Sequence, residues 1–140
     1  MKILALDIGT VRIGVAVSDI MEIIASVYEV YRRKYLKLDV EHIAKIVTDL
    51  NVGEIVIGLP LKMDGSEGQS VEMAREFGEE LKKVVNVPIH YQDERLSTVS
   101  AERILIESGM RREKRKDKID SIAATIILQT YLDKKKNLNI

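Results

Sequence analysis

Apolar and polar positions along this chain follow two different rhythms. Ile3–Leu6 and Ile13–Val17 are short, unbroken apolar runs, of the length of buried strands rather than helices. Asp7, Gly9 and Thr10 lie between them, which predicts a hairpin with a tight connection. Glu22 to Val30 is rich in Ile, Val and Tyr and predicts a third strand, followed by a basic turn over 31–37. The rhythm then changes. Val40, Ile43, Ala44, Val47 and Leu50 form a helical stripe, with Asp39 as its N-cap. Glu54 to Leu59 returns to a continuous apolar run ended by Pro60, a buried strand.

Residues 61–69 are a polar loop in which Ser66 and Gln69 have the spacing of a capping box. Ala74, Phe77, Leu81, Val84 and Val85 mark a second helix, and Pro88 to Gln92 a strand that runs into Asp93-Glu94-Arg95. Ser97 or Thr98 starts a third helix through Ala101, Ile104 and Leu105, closed by Gly109. After a basic stretch over 111–118, a last helix is expected from about Lys118 to Lys135, apolar on most sides and therefore largely buried. The order β-β-β-α-β-α-β-α-α predicts an α/β fold with a mixed five-stranded sheet and helices on both faces. No repeat or linker interrupts it, so residues 1–140 are expected to form one domain.

Composition narrows the picture. With 46% apolar and 31% charged residues the chain has the balance of a globular protein, and no run approaches the length of a membrane span. No charged-then-apolar leader precedes the first strand, so a cytoplasmic location is expected. The absence of cysteine excludes disulfides and Cys-ligated zinc. The 22 basic and 22 acidic residues cancel, but they are unevenly spread. Arg32, Arg33, Lys34 and Lys37 form one basic cluster; Arg111, Arg112, Lys114, Arg115, Lys116 and Lys118 form a denser one. These are solvated faces unless a phosphate backbone is bound, in which case they would hold it.

Acids stand where buried elements begin or end: Asp7 after the first strand, Asp93 and Glu94 after the last, and Asp120 in the first turn of the last helix. A carboxylate beside buried surface needs a hydrogen bond, a cation or a metal. A helix N-terminus alone would partly satisfy Asp120, and Asp93 or Glu94 could pair with Arg95. Were the elements to converge, the acids would form an all-oxygen cluster suited to Mg²⁺.

Four segments carry a family resemblance. Asp7-Ile-Gly-Thr-Val-Arg-Ile-Gly-Val-Ala, Gly58-Leu-Pro-Leu-Lys-Met-Asp-Gly-Ser-Glu-Gly, Asp93-Glu-Arg-Leu-Ser-Thr and Asp120-Ser-Ile-Ala-Ala-Thr-Ile-Ile-Leu-Gln-Thr-Tyr-Leu resemble, in that order and over nearly the whole chain, the YqgF/RuvX family. Its members are described as Holliday-junction resolvases and as pre-16S rRNA nucleases. The resemblance implies a ribonuclease H-like fold and phosphodiester hydrolysis dependent on Mg²⁺ or Mn²⁺. It implies Asp7, Glu94 and Asp120 as the metal-binding catalytic carboxylates. Asp93 stays a catalytic candidate, although strand alternation sends it and Glu94 to opposite faces, and Glu94 is favoured. Asp117, one turn before Asp120, ranks lower among its lysines.

Arg12, Arg111, Arg112, Lys114, Arg115 and Lys116 are the candidates for holding nucleic acid, either precursor rRNA or branched DNA. Ribosomal particles and a second copy of the chain are further partners to consider; a membrane is not. His42 and His90 are expected to be structural. Two other readings keep the fold: a nucleotide-binding protein of the actin-like and sugar-kinase type, suggested by Asp7-Ile-Gly-Thr, and a non-catalytic RNA-binding assembly factor.

Overall fold

The computed structural model describes residues 1–61, 64, 65, 68–94 and 112–138, with the backbone alone for 112–121 and 138. Five strands, β1 (Lys2–Ile8), β2 (Arg12–Ser18), β3 (Ala25–Arg32), β4 (Val52–Leu59) and β5 (Ile89–Asp93), form one sheet. Their order is β3-β2-β1-β4-β5, antiparallel across β3, β2 and β1 and parallel across β1, β4 and β5. Helices α1 (Leu36–Asp49) and α2 (Gln69–Lys82) cover one face. Helix α3 (Arg112–Leu138) covers the other. None of the described helices is long and apolar enough to cross a membrane.

The central strand sorts its residues by parity, as a pleated strand must. Leu4, Leu6 and Ile8 enter the core under α1 and α2 with Ile55, Ile57, Phe77 and Leu81. Ile3 and Ala5 enter the core under α3 with Val56, Ala124, Ile127 and Leu128. Asp7 follows Ile3 and Ala5 and shares their side.

Several expectations are corrected in detail. The third strand starts at Ala25, not at Glu22, and runs through Arg32. Residues 19–24 instead form a turn around the Asp19 carboxylate, which accepts N–H groups of Met21, Ile23 and Ile24 at 3.2, 2.8 and 2.8 Å. Those bonds hold the Asp19 carboxyl below its usual range. The turn leaves Ile20, Met21, Ile23 and Ile24 exposed, because a local carboxylate satisfied the backbone before a strand could. Helix α2 begins at Gln69 with Gly68 as its cap position and no side-chain cap; Ser66 of the expected capping box lies outside the described residues. The last helix begins at Arg112, six residues before the expected start. Asp120 is therefore in the ninth position of α3 rather than its first turn. The helix expected over 97–109 lies outside the described residues.

Asp39 is not the N-cap of α1, whose cap position is Tyr35. It is a fully buried carboxylate in the first turn. It accepts hydrogen bonds from Arg33 Nε, the Tyr31 hydroxyl and the Lys34 N–H, all at 2.9 Å. Burial alone would raise its pKa; the Lys34 N–H, the Arg33 guanidinium and the Tyr31 hydroxyl outweigh it and hold the carboxyl below the usual range. Burial, and then the bond to Asp39, pushes the Tyr31 hydroxyl up to about 12.

These shifts set the expected pH dependence of stability. A lowered carboxyl stabilises above its unfolded pKa of about 4 and loses that contribution as pH falls through its folded value. A raised phenol stabilises below about 10 and loses that contribution as pH rises toward 12. Melting temperature should therefore be level between those limits and fall on both sides. Asp39→Asn should cost about 3–5 kcal/mol by leaving Arg33 buried without its partner, and should flatten the acid limb. Tyr31→Phe should flatten the alkaline limb. Circular dichroism melts across pH check both.

Candidate active site

β1 and β4 run side by side with Leu6 level with Ile57, so Asp7 stands next to Gly58. On its other side Asp7 is paired with Gly14 of β2. The carboxylate at the end of the central strand is thus flanked by two positions with no side chain, on the face that α3 covers. Asp7 itself is buried, with 9% of its surface exposed.

The chain continues the ladder past β5. The Glu94 N–H donates to the Leu59 carbonyl at 3.0 Å. Gln92, two residues earlier and on the same side, donates from Nε2 to the Ile127 carbonyl of α3 at 2.9 Å. Glu94 is buried, at 6% exposure, and its side chain lies over Gly58. A Cβ on Gly58 would come within 2.7 Å of Glu94 Cδ, 2.9 Å of its Oε1 and 2.5 Å of Ile127 Cδ1. Gly58 is therefore the cradle of the Glu94 carboxylate, and Asp7 is the next residue across the sheet. Gly58 opens one of the four family motifs, but the sequence reading gave it no structural role, although a glycine inside a buried strand is itself a signal of close approach. Gln92, which fastens β5 to α3, likewise received none.

Asp93 alternates to the other side of the strand, that of Tyr91, and is exposed. Backbone position 120 lies in α3 one turn before Ala123 and Ala124, both fully buried against the sheet. The side chains of Asp117 and Asp120 lie outside the described ones. Among the described residues no three acidic or histidine side chains form a group able to hold a metal. Asp7 and Glu94 are the two that the strands bring to one glycine.

Arg12 opens β2 at the same end of the sheet. The turn between Asp7 and Arg12 is closed by the Gly9 N–H donating to the Arg12 carbonyl at 2.9 Å. A Cβ on Gly9 would stand 2.7 Å from that oxygen, so the turn requires glycine. Arg112, Lys114, Arg115 and Lys116 fall in the first two turns of α3, and Arg111 lies outside the described residues. In the other basic cluster Arg33 is turned inward to Asp39 rather than toward solvent.

Both histidines are paired away from Asp7. His42 Nε2 lies 2.5 Å from Glu29 Oε1, with its ring stacked on Tyr31. His90 Nε2 is 3.3 Å from Glu54 and its ring packs against Tyr131.

The family model described as RuvX, Holliday junction resolvase, matches residues 1–134. The chain belongs to the RuvX family. A RuvX relative from Caldanaerobacter subterraneus subsp. tengcongensis, named "Putative pre-16S rRNA nuclease", is 49% identical over 138 residues, covering 98% of this chain and 99% of its own length. Another of that name, from Halothermothrix orenii, is 46% identical over 139 residues, 99% of each chain.

Among solved structures, Thermus thermophilus RuvC bound to a Holliday junction superposes with a TM-score of 0.60 at 11% identity, over 97% of this chain and 96% of its own. The fowlpox virus Holliday junction resolvase gives 0.57 at 15%, over 96% and 99%. At such identities the likeness is one of fold, and the fold of this RuvX chain is ribonuclease H-like.

The cradle makes a specific prediction. Gly58→Ala should push the Glu94 carboxylate off Gly58 while the core under α1 and α2 stays intact. Melting temperature should drop by a few degrees, the range of about 1–2 kcal/mol of overpacking in a domain of this size. A crystal structure of the variant should show Glu94 displaced; an unmoved Glu94 would mean that Gly58 has another role.

Proposed function

We propose that the chain is a single ribonuclease H-like nuclease domain over residues 1–140. It hydrolyses phosphodiester bonds in structured nucleic acid with Mg²⁺ or Mn²⁺. The observation that carries the reading is the meeting of Asp7 and Glu94 at Gly58, two buried carboxylates on the face covered by α3. The donor chemistry fits a hard divalent cation, because both groups offer only oxygen.

Asp7, Glu94 and Asp120 are the ligands in this reading. Asp7 is rigid because the central strand fixes it, and Glu94 because Gly58 seats it. Asp120 comes from α3, one turn before the alanines that pack on the sheet. Asp93, directed to the other side, is left out of the ligand set. When bound, the cation supplies Lewis acidity and a lowered pKa for the attacking water. The histidines serve no proton transfer in this scheme, being engaged with Glu29 and Glu54.

Arg12 and the run Arg111, Arg112, Lys114, Arg115 and Lys116 neutralise phosphates on the substrate. The relatives' names favour precursor 16S rRNA as that substrate, and the family description favours a four-way junction. The site of action is the cytoplasm, where either would be met.

Cleavage of a precursor 16S rRNA 5′ end and of a four-way junction should be compared side by side. Activity is expected only with Mg²⁺ or Mn²⁺. Asp7→Asn, Glu94→Gln and Asp120→Asn should each lower the rate by about a hundredfold or more, the scale of a principal electrostatic contribution. Melting temperatures should report folded protein. Undiminished cleavage by clean Asp7→Asn protein would remove Asp7 from the mechanism, whereas binding with no cleavage by the parent would favour a non-catalytic assembly factor. Binding should weaken steeply with salt. Arg115→Ala with Lys116→Ala should reduce the slope of log K against log salt by roughly 2, about one per phosphate contact. Filter binding across a salt series measures it.

A further inference from the structure

The turn that carries the chain away from Asp7 is gripped from behind by residues of β3 and α1. Arg33, the residue after β3, makes three bonds. Its backbone N–H donates to the Val11 carbonyl at 2.8 Å. Its Nη1 donates to the Gly9 carbonyl at 3.0 Å, and its Nε donates to Asp39 Oδ2 at 2.9 Å. The guanidinium lies over the Phe77 ring, 5.7 Å from its centre. Asp39, fully buried, is fixed in turn by the Tyr31 hydroxyl and the Lys34 N–H.

We propose that Arg33, aimed by Asp39, is a positioning residue for the Asp7 turn. Nothing in the burial of Asp39 requires its cation to reach a second element. The planar guanidinium presents donors in fixed directions, so with Nε held on Asp39 the position of Nη1 is set. That N–H meets the carbonyl of Gly9, two residues beyond Asp7. The N–H of the same Gly9 closes the turn on Arg12. The ion pair therefore ties the path of residues 7–11 to the first turn of α1, a rigid element outside the site. A lysine at this position could keep a charge beside Asp39, but it lacks the fork that serves Asp39 and Gly9 together.

Backbone amide exchange by nuclear magnetic resonance on full-length Arg33→Lys protein tests this directly. The Gly9 amide should exchange about tenfold faster than in the parent, a local opening. The amides of Ile55 in the core and of Leu50 at the end of α1, bonded to the Pro88 and Ile46 carbonyls, should keep their rates. The double variant Arg33→Met with Asp39→Leu removes both charges, leaves no lone ion buried, and should show the same selective loss if Arg33→Lys does not fold.

In cleavage, which alone rests on the nuclease reading, kcat should fall about tenfold with KM within about twofold, as misplacement of a reacting group does. An unchanged Gly9 amide, or acceleration of all amides together, would overturn the proposal and reduce the pair to general stability. A parent that cleaves nothing, with the Gly9 effect present, would overturn the nuclease reading and leave the positioning role standing.

Discussion

The period of two along β1 is the constraint from which the rest of the arrangement follows. A strand buried on both faces must supply apolar groups alternately to two cores, and β1 does so from Ile3 to Ile8. The residue that breaks the pattern is Asp7, and its parity leaves it no choice of side. It must face α3. A buried carboxylate at that place constrains its neighbours in turn. The facing positions are Gly14 and Gly58, and the nearest strand end contributes Glu94 rather than an apolar side chain. A one-residue slip in the pairing of β1 with β4 would turn Asp7 into the core under α1 and α2. The register of the parallel pair and the chemistry of the site are thus one specification.

Helix α3 is held at the opposite end of the sheet by a polar clamp. Lys135 Nζ donates to Glu54 and Glu22, each at 2.8 Å, and the Tyr131 hydroxyl donates to Glu54 as well. Burial tends to raise the Glu54 pKa, but Lys135 and Tyr131 together hold it below the usual range. The two glutamates hold the Lys135 ammonium above its usual one. Gln129 completes the grip by accepting from the Ala25 N–H and donating to the Ile23 carbonyl, both at 3.0 Å. At about 1.5 Å per residue the helix is roughly 40 Å long. A grip on its C-terminal third therefore governs where the preceding turns, with Ile127 against Gly58, meet the sheet.

Much of this was readable from the chain because most elements announce themselves by period. The stripe from Val40 to Leu50 and the run from Ile55 to Leu59 are local signals, and both faces pack as the pattern implies. The misreadings have local causes too. The run 111–118 has no apolar period, yet Arg, Lys and Glu are good helix formers, so charge concealed the start of α3. Residues 20–24 have strand composition, but a single carboxylate at Asp19 captures their amides. Asp39 had the composition and place of a cap. Its real partner, Arg33, could be assigned only once the fold brought the end of β3 to the first turn of α1. Gly58 and Gln92 are matters of register across strands and against α3, and a linear pattern carries no such register.

The space around Asp7 supports the ligand role proposed for that carboxylate. Filling a buried sheet position with Val or Ile is worth roughly 1.5–3 kcal/mol, and glycine within a strand also costs backbone entropy. Both positions beside Asp7 forgo that gain, and α3 lays the small Ala123 and Ala124 against the same core. Two carboxylates seated around one glycine also repel each other when both are ionised. A phosphodiester is a third anion. A divalent cation held by Asp7 and Glu94, as the proposed function requires, would offset that repulsion and the repulsion met by an approaching phosphodiester. Under that proposal the acidity of the site and the charge of its substrate would be complementary through the ion, and the basic stretch at the start of α3 would be left to hold the rest of the nucleic acid.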